Sequence, residues 1–101
     1  MQVNSILYMS LSHMPTIKPE CAKKILTLIC QRQQVGEEKY GHTIDRTDID
    51  EAQWRMHLLE ELLDGVQYAA RCGNDCETRI MLRLLEAIAR LIEYMEQNKE
   101  I

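Results

Sequence analysis

An all-α fold follows from three features of this 101-residue chain. Its vocabulary is that of helices: Leu, Ile, Met, Ala, Glu, Arg and Gln abound, with no Phe, two Pro and four Gly. Its apolar residues recur at helical spacing over three long stretches. The last two stretches are separated only by Gly73-Asn74, too short a link for anything but helices that double back on each other. The expected architecture is an antiparallel helical hairpin plus an N-terminal helix, completing a helical bundle by oligomerisation.

Residues 1–17 (MQVNSILYMSLSHMPTI) carry irregularly spaced apolar side chains and neither a basic leader nor a clear cleavage site. They read as an N-terminal arm, either flexible or packed on a partner subunit, ahead of a single all-α domain over 18–101. The first long helix begins at Pro19, a residue suited to the first helical turn, and runs to about Gln34, with Cys21, Ala22, Ile25, Leu28 and Ile29 as its apolar stripe. The following GEEKYGHTIDRTDID is polar and aperiodic, and reads as a long loop of the kind that often carries function. Asp48 and Glu51 have capping-box spacing and open the second helix, which runs to about Cys72 on the stripe Met56, Leu59, Leu62, Leu63, Val66 and Ala70. Asp75 is the expected cap of the third helix, from about Cys76 to Gln97, with Ile80, Met81, Leu84, Leu85, Ile88, Leu91, Ile92 and Met95 as its core stripe. Both helices are apolar on more than one side, which calls for a homodimer or homotetramer.

Several functional classes are disfavoured. A net charge of −4 lacks the basic surface that sequence-independent nucleic-acid binding needs. No apolar run is long enough to span a bilayer. The four cysteines form no CxxC and the histidines lack zinc-finger spacing, so reduced thiols and a cytoplasmic setting are expected, a bridge between Cys72 and Cys76 being the alternative.

Chemistry concentrates in Trp54–Tyr68, WRMHLLEELLDGVQY. Glu61 and Asp64 are three apart and share a helix face. Two carboxylates that close repel unless water or a divalent cation intervenes, and Mg²⁺ is commonly held by one or two carboxylates together with substrate phosphates. Counting outward from Asn74 sets position 61 level with about 87, which makes Glu86 the carboxylate of the last helix expected to approach the pair. The candidate metal ligands are therefore Glu60, Glu61, Asp64 and Glu86, with Glu93 in reserve. The plain alternative is a pair of solvated faces, since Arg79, Arg83, Glu86, Arg90 and Glu93 also form a helical charge stripe. Lys39, Arg46, Arg83 and Arg90 are candidate phosphate ligands. Tyr40, Trp54 and Tyr68 could stack on a base, but Trp54 and Tyr68 stand about 21 Å apart along one helix and cannot flank the same one. His57 is either a neighbour of that acidic site or an ordinary surface residue.

Taken together, Arg32, Gln33, Glu38, Lys39, Tyr40, Gly41, Trp54, Leu58, Glu60, Glu61 and Asp64, followed by the Leu82–Glu93 segment, resemble small phage and bacterial MazG-like proteins over about residues 31–97. These are all-α nucleoside triphosphate pyrophosphohydrolases. The resemblance implies Mg²⁺ as cofactor and cleavage of a (deoxy)nucleoside triphosphate to the monophosphate and pyrophosphate. It implies catalytic roles for Glu61, Asp64 and Glu86, and substrate contacts from Lys39, Tyr40, Trp54, Arg83 and Arg90. One departure is explicit: the family's second motif, ExxD, is here Glu86 followed by Ala89. The alternative is thus a catalytically degenerate relative that binds a nucleotide or a protein partner.

Overall fold

The computed structural model describes residues 2–101, and their regular secondary structure is entirely helical: α1 (Val3–Ser12), α2 (Pro19–Tyr40), α3 (Glu51–Cys72) and α4 (Asp75–Gln97). The chain forms two compact units, one ending at Thr47 and the other covering Asp48–Ile101. The boundary expected between arm and domain, at 17/18, falls inside the first unit.

In the first unit, the segment expected as an arm contains α1. Nothing marks its ends in the sequence: Gln2 precedes it without a side-chain cap, its first turn has no acid and its last turn no base. Its exit is held by side chains returning to its own carbonyls, with His13 Nδ1 at 2.7 Å from Met9 O and Ser12 Oγ donating to the same oxygen at 2.7 Å. The amides of Asn4 and Gln33 exchange two hydrogen bonds (2.7 and 3.2 Å), and Val3 N donates to Asp45 Oδ1 at 2.8 Å. α2 starts at Pro19 as expected but ends at Tyr40, not near Gln34. Gly36 is carried inside the helix, at roughly 1 kcal/mol relative to Ala, because Glu37, Glu38 and Lys39 beyond it favour the helix. The stop is Gly41, at φ 73°, donating its N–H to Glu37 O at 2.8 Å. The long polar loop accordingly shrinks to about residues 41–50. No described residue of this unit is fully buried.

The second unit contains the core. Leu59, Ile88 and Met95 are buried together, and Met56, Leu62, Val66, Leu91 and Ile92 pack around them. The cap of α3 lies two residues later than the spacing suggested: Asp50 Oδ1 accepts from Gln53 N at 2.8 Å, and Gln53 Oε1 accepts from Asp50 N at 3.0 Å. Gln53 completes the box that Glu51 was expected to complete. Gly73 closes α3 at φ 77°, and Asn74, not Asp75, caps α4 by accepting from Glu77 N at 3.0 Å. α3 and α4 approach closely at Gly65, where a Cβ would lie 3.8 Å from Leu84. After α4 the chain turns back at Lys99 (φ 58°), and Glu100 N donates to Met95 O at 2.8 Å.

Candidate functional site

The acidic residues are positioned by the same pattern that builds the core. Leu59 points inward on α3. At 100° per residue, Glu61 is about 200° and Asp64 about 140° round the helix from it. Both therefore project from the solvent side, and both are exposed, as is Glu60. Their spacing keeps Glu61 and Asp64 side by side, one turn apart.

Glu86 is different. It precedes the buried Ile88 by two residues, so it too lies about 200° from the inward direction, on the far side of its own helix. The inward sides of α3 and α4 meet in the shared core. Glu86 consequently faces away from Glu61 and Asp64 even though it stands near their level. Among the described residues, no group of three or more His, Cys, Asp or Glu side chains could hold a metal ion. The expected approach of Glu86 to the pair is thus not made within the chain. Glu86 shares its exposed face instead with Arg83 and Arg90, three and four residues away, and Glu93 is exposed as well.

The remaining candidates are dispersed. Lys39 and Tyr40 end α2 in the first unit, both exposed, with Lys39 Nζ 5.2 Å from the Tyr40 ring centroid. Arg46 is half-buried in the connection to α3. Trp54 is half-buried in the second unit, edge-on to His57 with centroids 5.7 Å apart and planes at 60°. Tyr68 is exposed. All four cysteines are exposed and free.

Comparison with known proteins found no matching family model, no matching curated protein and no matching solved structure. The functional reading therefore stands on the residues themselves.

One ion pair of the second unit lies outside the sequence candidates. Arg55 engages Glu100 with both arms of its guanidinium, Nε to Oε1 at 2.8 Å and Nη2 to Oε2. Its Nη1 is 3.6 Å from Glu51, and its guanidinium carbon is 5.2 Å from the Tyr94 ring centroid. The hydrogen bonds from Arg55 hold the Glu100 carboxyl below its usual range, and the same contact raises Arg55 further above its own. Only the Glu51 contact, at i,i+4, has a local sequence signal. Glu100 lies 45 residues away with nothing in the intervening pattern to pair them.

Mg²⁺ is usually held by one or two carboxylates and completed by substrate phosphates and water, without an all-protein cage. Glu61 and Asp64 fit that minimal requirement: two accessible oxygen donors on one face, with no apolar residue between them and solvent. A site needing three carboxylates from one chain does not fit this structure.

Proposed function

We propose that the protein is a Mg²⁺-dependent nucleoside triphosphate pyrophosphohydrolase of the MazG-like type, converting a (d)NTP to the (d)NMP and pyrophosphate. The observation that carries this reading is the exposed Glu61–Asp64 pair, one turn apart on the solvent face of α3. The scaffold of the proposal is α3 and α4 as an antiparallel hairpin that completes a bundle in a homodimer or homotetramer. Glu61 and Asp64 would hold the ion, with Glu60 beside them. Bound there, Mg²⁺ would supply charge neutralisation on the phosphates and activation of water. Arg83 and Arg90 are exposed and suited to phosphate oxygens, and the half-buried Trp54 is the candidate ring for stacking on a base.

A second reading is favoured by a specific residue. Ala89 stands where the resemblance calls for Asp, and no third carboxylate joins the pair within the chain. On this reading the scaffold binds a nucleotide or protein partner without hydrolysing it. Pyrophosphate release from a panel of nucleoside triphosphates, with and without Mg²⁺, separates the two. The enzyme reading expects Mg²⁺-dependent release that Glu61→Gln abolishes and Ala89→Asp increases. Nucleotide binding without release by either wild type or Ala89→Asp supports the second reading and overturns the first.

A further inference from the structure

The first unit holds a cleft of about 410 Å³ lined by the last turn of α1, the 13–18 connection and the first two turns of α2. Pro15 and Pro19 both line it, and each lacks the N–H that would continue a helix. The chain therefore turns between α1 and α2, and side chains from both sides of the turn meet in the cleft. Its floor is apolar: Leu11, Ile17, Ala22 and Leu26 are half-buried along it. Tyr8 and Met14 also line it yet remain 63% and 46% exposed.

One charged side chain lines the cleft, Lys23, and no acid does. Among the described residues Lys23 has no ion-pair partner. A lysine at such an edge lays its methylene stem on apolar surface and keeps its ammonium in water. The local charge is positive although the chain carries −4, because Lys18, Lys23 and Lys24 stand against Glu20 alone in this stretch. The first turn of α2 adds the same sign, since Lys18 at its N-cap makes no side-chain cap. Of the two hydroxyls in the lining, Ser12 already donates to Met9 O at 2.7 Å, which leaves Tyr8 beside Lys23 as a donor. Size selects the kind of occupant. Ten residues line the cleft, whereas a protein partner engages about 20–30 on each side. The volume falls instead within the range of about 300–1,000 Å³ usual for small-molecule sites.

We infer that this cleft binds a free fatty-acid anion, with its alkyl chain along Leu11, Ile17, Ala22 and Leu26 and its carboxylate at Lys23. An apolar floor offers a sugar or a base no hydrogen-bonding partner, while one cation at the edge matches one carboxylate. The site uses no residue of the Glu61–Asp64 pair, and its test involves neither nucleotide nor Mg²⁺, so it stands apart from the proposed catalysis.

The test is calorimetric titration of the full chain with decanoate below its micelle concentration, with amide NMR shifts locating the site. The expected result is one decanoate per chain, shift changes over 8–26, and affinity rising by up to about fourfold per methylene from hexanoate to decanoate. Decanol on the wild type, and decanoate on Lys23→Gln, should each bind up to about fivefold more weakly, the scale of an exposed ion pair. Met14→Glu, which sets a carboxylate beside the cleft, should weaken decanoate more than decanol. Absence of saturable decanoate binding overturns the inference, including where the protein binds phosphatidylglycerol vesicles instead, since the exposed apolar side chains would then serve a membrane surface. Shift changes centred on α3 and α4 overturn the choice of site. Equal affinity for decanoate and decanol, unaltered by Lys23→Gln, overturns the role of charge. Circular dichroism checks that each variant keeps its helical signal, and where one does not, the comparison of decanoate, decanol and hexanoate on the wild type decides.

Discussion

Arg55 shows how much of this fold rests on one side chain. Its planar fork matches a carboxylate in a way that a lysine ammonium does not, and Tyr94 lies against it from α4. The depressed Glu100 carboxyl makes the contact pH-dependent in a defined sense. Stability from the pair is fully present above the carboxyl's unfolded value and is lost as pH falls through its lower folded value. Glu100→Gln should therefore lower the melting temperature at neutral pH and flatten the acid limb of stability against pH, which thermal melts between pH 2 and 7 will show. Leu59 acts by packing instead. Leu59→Ala should destabilise by about 2–5 kcal/mol in urea titration, the range for removing a buried leucine side chain.

At the scale of elements, helix ends explain both the agreement and the misplacements. Periodicity located α3 and α4 almost to the residue, because long apolar stripes bounded by Gly73 leave little choice. The caps slipped by one or two positions because Asp48, Asp50, Asn74 and Asp75 are all chemically competent, and only backbone geometry selects Asp50 and Asn74. α1 carries no sequence signal at its ends: Gln2 makes no side-chain cap, its first turn has no acid and its last turn no base. Gly36 and Gly41 exchanged roles for a similar reason: composition marks both as breakers, but only Gly41 takes a positive φ. Gly36 and the left-handed Gly73 should therefore respond oppositely to substitution. Gly36→Ala should stabilise by about 0.5–1 kcal/mol, since a Cβ there meets nothing within 4 Å. Gly73→Ala should destabilise by about 1–2 kcal/mol because its backbone is left-handed. Chemical denaturation of the two variants checks both signs.

For the molecule as a whole, the candidate site was legible in part. The Glu61–Asp64 pair could be read from spacing because three residues along a helix fix two side chains on one face. Glu86 could not. Level along a turn-linked helix pair follows from counting residues, but azimuth follows from which side each helix buries, and Ile88 and Leu59 turn Glu86 and Glu61 outward in different directions. Metal titration can register this difference. If the accessible pair binds Mg²⁺ only with substrate phosphates, calorimetry should detect little Mg²⁺ binding to the protein alone and clear binding in the presence of a non-hydrolysable triphosphate. Tight binding of the bare ion would contradict that account.

The Arg55–Glu100 pair also bears on the order of assembly. It joins residues 45 apart, whereas the Gly65–Leu84 contact joins residues much closer in sequence, near the Gly73–Asn74 turn. Loop-closure entropy favours the nearer contact first, so the helices should zip from the turn and the terminal ion pair should form after the rate-limiting barrier. Glu100→Gln should then leave the refolding rate nearly unchanged and accelerate unfolding. The pair would act as a brake on opening: it sets how long the folded unit survives, with little influence on how quickly it forms.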